Sequence, residues 1–325
     1  MPTKAQAHID RALTNISVAY MQDETAFIAD KVFPRIPVKK QSDVYFIYNK
    51  GDMFRDEARE RGRASESVGS DYGVEASAPY YCKVYSFHSD VTEQDRANFD
   101  DPLDADRDAT DFVSHKTLLK RETQWAEKYF KSGVWTTEIA GADSDPSGDT
   151  QTLKWTNPLS DPIKDITVAA VKMAEKTGYK PNKLVLSPYA YNALCNHEVI
   201  LDRIKFTQKG LVSADLLASL FGVEEVLVAW GIVNNASQGA EENMSFIMGK
   251  HALLCYANPR PSLKRPSAGY IFTWTGYAGA SAYGSRIVRL PMDQLGLGTE
   301  RIEAEVAFDA KVIANDLGVF FNEIV

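Results

Sequence analysis

Histidines, cysteines and carboxylates are the side chains of this sequence that could bind a metal or act in catalysis. The five histidines are His8, His88, His115, His197 and His251. None lies three or four residues from another, the spacing that brings two ligands to one face of a helix. His197 is adjacent to Glu198, but neighbouring helical positions point about 100° apart and would not chelate one ion together. We therefore predict no metal site, and histidines that are exposed or hydrogen-bonded.

Three other segments resemble functional loops but lack their defining residues. Residues 104–108 (DADRD) lack the later glycine and glutamate of a calcium loop and are typical of an acidic helix start. Residues 279–285 (GASAYGS) contain no GxSxG motif, and residues 296–300 (GLGTE) are too short for a dinucleotide fingerprint. The sequence therefore predicts no catalytic residues and no cofactor, which is typical of a protein that is not an enzyme.

The most distinctive chemistry lies in residues 51–67 (GDMFRDEARERGRASES), which carry four arginines and five carboxylates. A loop that binds nucleic acid needs an excess of positive charge, and here the two signs nearly cancel. One interpretation is a solvated helical face, with Glu57 near Arg61 and Arg55 near Arg59. The other is a docking surface whose alternating charges match those of a neighbour. Its candidate contact residues are Arg55, Glu57, Arg59, Glu60, Arg61 and Arg63.

Composition limits the class of protein. The chain has 325 residues, of which 44% are hydrophobic and 25% charged, as in ordinary globular proteins. The formal net charge of −8 does not suggest a nucleic-acid binder. Three widely spaced cysteines, Cys82, Cys195 and Cys255, predict buried thiols in a reducing compartment. Asp10 and Arg11 interrupt any signal peptide, and no apolar run reaches the roughly 20 residues of a membrane span, so we expect a soluble, cytosolic product.

The N-terminal third contains two segments without an evident core of their own. Residues 8–20 form an amphipathic helical pattern, with its apolar positions at Ile9, Leu13, Ile16 and Tyr20. Residues 44–50 and 80–91 are rich in β-branched and aromatic residues and predict a long hairpin whose tip is residues 51–79. A two-stranded hairpin is marginally stable alone in water. We therefore expect both segments to lie on another surface.

A long helix is predicted for residues 100–131. Asp100, Asp101 and Pro102 provide a cap and a first turn, and roughly 30 residues would give a rod of about 45 Å. Its apolar positions are Ala105, Ala109, Phe112, Leu119, Ala126 and Phe130. Helices average about 12 residues, so this one is long for a compact domain. The N-terminal segment before the hairpin (the arm), the hairpin and the helix together predict a protein that buries these faces by assembling with copies of itself.

The remainder predicts mixed α and β structure. After a loop over residues 136–160, helices begin near Ser160, Ser187 and Ser213, each marked by a capping residue. Strands are predicted at 183–187, 223–230 and 244–249, and three more follow the proline-rich residues 257–269. The overall class is therefore α+β.

Several stretches resemble tailed-bacteriophage major capsid proteins with the HK97-type fold. Residues 27–55, followed by RGRASES (61–67), are similar to the start of that family. Residues 118–130 (LLKRETQWAEKYF) resemble the end of its spine helix, and residues 160–194 its second long helix and following strand. Residues 249–274 and 307–325 resemble the closing segments of that family. The likeness covers nearly the whole chain, in the family's order.

The resemblance implies five regions: an N-terminal arm (1–43), an extended E-loop hairpin (44–92), a P domain with a spine helix (93–187), an axial A domain (188–255) and return strands (256–325). It implies self-assembly into hexamers and pentamers of an icosahedral shell around double-stranded DNA. The six candidate residues of the tip would then contact an adjacent subunit. A net negative charge suits a shell whose inner surface must not hold DNA tightly.

The resemblance also implies partners and alternatives. We expect a separate scaffolding protein, a portal and, in some relatives, a decoration protein, with assembly in the bacterial cytoplasm and final location in the virion. Some members join a hairpin lysine to a neighbour's asparagine; here Lys50 and Asn322 would be the pair, although no motif supports it. The main alternative is an encapsulin-type compartment enclosing a cargo enzyme. A soluble α/β enzyme is the alternative from another class.

Overall fold

The computed structural model describes residues 21–76, 79–98, 104–205, 212–262, 265–277, 279–281 and 283–325. The predicted helical face of residues 8–20 therefore lies outside the described residues. The helices in chain order are α1 (Ala29–Val32), α2 (Lys50–Met53), α3 (Glu93–Asn98), α4 (Ala105–Tyr129), α5 (Pro162–Thr177), α6 (Pro188–Cys195), α7 (Glu198–Ile204) and α8 (Ala214–Phe221).

The strands follow the same numbering in chain order. They are β1 (Arg35–Val38), β2 (Ser42–Asp43), β3 (Phe46–Tyr48), β4 (Val74–Ala76), β5 (Tyr80–Tyr81), β6 (Lys83–Val91), β7 (Thr137–Ala142), β8 (Gln151–Leu153), β9 (Lys183–Leu186), β10 (Glu225–Val228), β11 (Ile232–Asn234), β12 (Met244–Phe246), β13 (Ala252–Cys255), β14 (Gly269–Trp274), β15 (Ser285–Pro291), β16 (Glu300–Val312) and β17 (Gly318–Asn322).

Two larger sheets organise the described structure. The first has the order β1-β14-β16-β15, with β6 also paired to β16, which is 13 residues long and antiparallel to β6, β14 and β15. The second has the order β10-β9-β13-β17-β7-β8 and mixes parallel with antiparallel pairs. One apolar cluster joins this sheet to helices α5 to α8, and a second lies between the two sheets and α4. The α+β class is confirmed.

Helix α4 begins later than predicted. The side chain of Asp104 accepts hydrogen bonds from the backbone N–H groups of Asp106 and Arg107, so α4 starts at Ala105. The cap predicted at residues 100–102 lies outside the described residues. It ends at Tyr129 after 25 residues, a rod of about 37 Å. The predicted apolar face is also partly wrong, because Phe112 is 42% exposed while Val113 and Trp125 are buried. The cap, which fixes the first turn, decided the helix start.

The N-terminal arm packs within its own subunit. Ile28, Val32 and Phe33 are buried in the same cluster as Trp125 and Phe130 of α4. The Phe33 ring meets Trp125 edge-on, with ring centroids 5.4 Å apart. The prediction that the arm and the long helix need another subunit to bury their apolar faces is therefore wrong for these residues. They bury each other.

The central α/β passage largely follows the predicted pattern. Ser187 and Ser213 cap α6 and α8 through their hydroxyl oxygens, and Gly222 ends α8 in the left-handed conformation. The cap of α5 is Asp161 and not Ser160. The predicted loop over residues 136–160 contains β7 and β8, which extend the second sheet. These short strands lack strict alternation, so pairing with β17 decides their structure.

The hairpin pairs differently from the prediction. Strand β3 pairs with β4 inside the predicted tip, and β2 pairs with β5 at the base. Strand β6, predicted to be the return strand of the hairpin, pairs with β16 over nine residues in the first sheet. Pairing with the long strand β16 gives more of the backbone N–H and C=O groups of β6 a hydrogen-bond partner than an isolated hairpin can. Strand β6 therefore joins the first sheet.

Candidate assembly surface

The base of the hairpin is anchored in a small aromatic cluster. Tyr80 is 5% exposed and stacks on Phe272, with ring centroids 4.5 Å apart and an interplanar angle of 12°. Tyr45 also stacks on Phe272, with ring centroids 5.8 Å apart. The backbone N–H of Tyr81 donates to the Asp309 carboxylate at 3.0 Å. These contacts fix the direction in which the rest of the hairpin leaves the first sheet.

Beyond this base the hairpin has no core. No residue from Val44 to Ala76 is buried, although all of them are described. Exposed apolar side chains lie along it, including Phe46 at 61%, Tyr72 at 61% and Val68 at 60% exposure. A segment of this kind leaves apolar surface in water that a neighbouring molecule could cover.

The charged tip, residues 51–67, is open and mostly irregular. Helix α2 ends at Met53, and residues 55–73 contain no helix. The predicted helical face, with Glu57 opposite Arg61 and Arg55 opposite Arg59, is therefore wrong. Arg55 instead pairs with Glu57 at 3.0 Å. Hydrogen bonds from Ser70 and Arg55 lower the pKa of the Glu57 carboxyl.

The remaining candidate residues of the tip point into solvent. Arg59, Glu60, Arg61 and Arg63 are exposed, and within the described residues no ion pair forms at any of the four. Arg61 donates to the backbone oxygen of Ser65 at 2.6 Å, which shapes the turn and leaves its charge uncompensated. The structure thus brings Arg55 and Glu57 together and leaves the other four residues available to a partner.

The first part of the hairpin also touches its own subunit. Lys50 forms an ion pair with Asp316 in the turn before β17. The ring of Phe54 lies over Gly178, where an added Cβ would be 3.1 Å from its Cζ atom. Lys50 is thus engaged by a carboxylate of its own chain, and the pairing of Lys50 with Asn322 of a neighbour remains an untested expectation.

A second surface, which the sequence reading did not single out, carries charge complementary to the free arginines. It lies along the N-terminal half of α4, where Asp104, Asp108 and Asp111 are exposed. Phe112 and Phe87 of β6 form an exposed aromatic pair beside them, with ring centroids 5.7 Å apart. We call these five residues the acidic surface. Its signal in the sequence is the run of aspartates at a helix start combined with phenylalanine at position 112.

The side chains with possible catalytic chemistry have structural surroundings. His197 is buried, and its Nε2 lies 2.9 Å from the Ser160 hydroxyl, in agreement with the prediction of hydrogen-bonded histidines. Burial raises the pKa of Cys82 and of Cys255 to about 12, while Cys195 is only half-buried. Among the described residues no group of three or more metal-ligating side chains is gathered. No helix in that part of the chain is long and apolar enough to span a membrane.

The comparison with curated proteins gives two phage relatives along most of the chain, while no family model matches. The major capsid protein of Pseudomonas phage JBD67 is 28% identical and covers 98% of this chain and 97% of its own length. The major capsid protein of Burkholderia phage BcepMu is 25% identical over 76% of each chain.

Solved structures share the fold. A phage-related protein from Bordetella bronchiseptica superposes with a TM-score of 0.69 at 21% identity, covering 93% of this chain and 94% of that one. The capsid of cyanophage P-SCSP1u gives 0.62 at 10% identity, covering 94% and 90%. The SrpI encapsulin of Synechococcus elongatus gives 0.56 at 11% identity, covering 99% and 96%.

These comparisons confirm the resemblance drawn from the sequence. The fold is the HK97-type capsid fold, which serves shell-forming proteins. The chain is similar in sequence to phage major capsid proteins, in one case over nearly its full length. The encapsulin alternative is supported only by the similarity of the fold. The sequence and the fold of the chain are thus both similar to those of phage capsid proteins.

Proposed function

We propose that this chain is the subunit of an icosahedral phage head, built from hexamers and pentamers that enclose double-stranded DNA. The observation that carries the proposal is the full-length similarity to a phage major capsid protein combined with the shell-forming fold. The exposed hairpin supports it, because its apolar and charged residues lack a core within the subunit. The same proposal includes the domain organisation that the resemblance implies, namely the arm, the hairpin, the P domain, the A domain and the return strands.

Within this shell, the charged tip docks on the acidic surface of an adjacent subunit. Arg59, Arg61 and Arg63 supply positive charge without an ion pair in the described structure, and Asp108 and Asp111 supply exposed carboxylates. Complementary charge steers association and fixes register more than it adds affinity. The apolar side chains along the hairpin and the aromatic pair beside α4 supply area that excludes water. The tip is therefore a contact between subunits and has no catalytic role.

The other partners are those of a phage head. A separate scaffolding protein sets the curvature of the growing shell, a portal occupies one vertex, and a decoration protein is an optional outer partner. Assembly takes place in the host cytoplasm and the product is the virion capsid. DNA is enclosed without sequence-specific contacts, as the net charge of −8 suits a wall that does not hold phosphates tightly.

The first test is negative-stain electron microscopy of the purified protein, together with sedimentation velocity. Closed shells, tubes, or rings of five or six subunits support the proposal. A monomer or dimer that stays small even with its scaffolding partner contradicts it. Shells from cells that contain a cargo enzyme and no packaged DNA would favour the encapsulin function.

Charge reversal tests the tip. We expect Arg59→Glu combined with Arg61→Glu to raise the protein concentration needed for half-assembly about tenfold or more, since like charges then face each other. Because both residues are exposed, the thermal midpoint of unfolding should be unchanged.

The matched rescue is Asp108→Arg with Asp111→Arg on the acidic surface. Alone, the acidic-surface variant should impair assembly. Combined with Arg59→Glu and Arg61→Glu, it should restore much of the lost assembly. Unchanged assembly in the tip variant, or absence of any rescue, would show that these two surfaces do not meet.

A further inference from the structure

A small aromatic surface surrounds the start of the β11–β12 pair. Trp230 is 52% exposed and Met244 is 53% exposed. Trp230 packs edge-on against Phe246 with ring centroids 6.3 Å apart, and Tyr189 meets the same ring at 5.3 Å. We call these four residues the aromatic patch. A pre-formed group of Trp, Tyr and Met side chains in water is typical of a site that another segment covers.

The chemistry of the patch selects an apolar partner. From Ala229 to Ala240 the sequence contains no charged residue. Met244 and Phe246 lie two positions apart on β12 and so face the same side of the strand. Phe246 also lines a groove between this strand pair and the C-terminal part of α4. An occupant must therefore present an apolar face.

The described chain begins beside the patch. The side-chain amide of Gln22 donates to the backbone oxygen of Ile232 at 2.8 Å, and its oxygen accepts from the Ile232 N–H at 2.8 Å. Trp230 is two residues from Ile232, at most about 7 Å along the backbone. The N–H of Gln22 also donates to His115 of α4 at 3.3 Å. The described chain therefore begins at the rim of the patch, with Gln22 as its attachment point.

We propose that residues 8–20 of the same chain cover the aromatic patch. Their apolar positions, Ile9, Leu13, Ile16 and Tyr20, fall on one face of a helix about 20 Å long. The tether at Gln22 places this face at high effective concentration, so the same subunit outcompetes a second copy in dilute solution. This contact is internal to the subunit and does not depend on shell assembly.

Pairs of introduced cysteines test the contact in the full-length protein. The background variant is Cys195→Ser, because this half-buried native thiol could otherwise react. Leu13→Cys or Ile16→Cys is combined with Met244→Cys, and disulfide formation is followed on non-reducing gels at low protein concentration. We expect an intramolecular disulfide that forms at least about tenfold faster than with the control Thr14→Cys, which lies outside the apolar face. Equal rates for the two faces, or a cross-link only between two chains, would overturn the proposal.

Proteolysis gives an independent readout that needs no new thiol. Trypsin cleavage after Arg11 should be slow in the parent protein and about tenfold faster or more in Trp230→Ala, because an aromatic anchor is lost. Leu201→Ala, another exposed apolar residue at 44% exposure, is the matched control and should leave the rate unchanged. An unchanged cleavage rate in Trp230→Ala would mean that residues 8–20 lie elsewhere.

Discussion

At the scale of single residues, Glu122 is the most unusual side chain of the interior. It is 2% exposed, and its carboxylate accepts the backbone N–H groups of Ile28 at 3.1 Å and Ala29 at 2.9 Å. Beside it, the Arg121 guanidinium forms an ion pair with Asp30. Burial raises the pKa of Glu122 to about 7 in spite of these hydrogen bonds. A carboxyl group thus joins the arm to α4 near neutral pH.

This environment predicts a pH-dependent stability. Because the folded pKa lies above the ordinary value of 4.5, the folded protein holds the proton more tightly than the unfolded chain. The contribution of Glu122 is therefore most favourable below about pH 4.5 and is lost as pH rises to about 7. Between pH 5 and 8, we expect the unfolding free energy of Glu122→Gln to rise relative to the parent by about 1–3 kcal/mol.

Urea unfolding at several pH values measures this difference. Comparison with the parent cancels the other titrating groups, including His115, whose pKa is lowered by burial. Glu127→Gln, an exposed position on the same helix, should follow the parent curve at every pH. A Glu122→Gln difference that is independent of pH would show that Glu122 does not titrate in this range.

At the scale of elements, the base of the hairpin decides where the charged tip lies. Tyr80 is held between the first sheet and the chain entering the hairpin, whereas the adjacent Tyr81 is 51% exposed. We expect Tyr80→Ala to lower the unfolding free energy by about 3 kcal/mol, through lost burial and the cavity left beside Phe272.

Tyr81→Ala is the matched control. Its backbone N–H keeps the hydrogen bond to Asp309, so the cost should stay below about 0.5 kcal/mol. Chemical unfolding of both variants gives the comparison. Similar losses at the two positions would contradict the view that the Tyr80–Phe272 stack anchors the hairpin.

At the scale of the whole molecule, assembly through charged tips predicts a dependence on salt. The Debye length falls from about 10 Å at 0.1 M to about 3 Å at 1 M ionic strength, so attraction between exposed charges weakens. We expect light scattering to show slower assembly of the parent protein as salt rises. The variant with Arg59→Glu and Arg61→Glu should show the opposite trend, because salt then screens a repulsion. If the assembly rates of the two proteins depend on salt in the same way, the charges of the tip do not steer assembly.

The sequence by itself determined much of this protein. Capping residues such as Ser187 and Ser213 predicted helix starts correctly, because a cap depends on atoms two or three residues away. The order of motifs along the chain was enough to indicate the HK97-type fold. The charged tip was also visible, since exposed polar residues need no tertiary partner to be recognised.

The tertiary structure alone decided which distant segments meet. Strand β6 reads like half of a hairpin, yet it pairs with β16, which lies more than 200 residues later. The arm reads as unsupported, yet Phe33 and Trp125 bury each other. The charged Glu122 is buried and the apolar Phe112 is exposed, because the packing of the arm and the sheet around α4 determines which side of the helix is buried. Local patterns carry no information about such long-range partners, and these partners determine burial, strand pairing and the surfaces that remain for assembly.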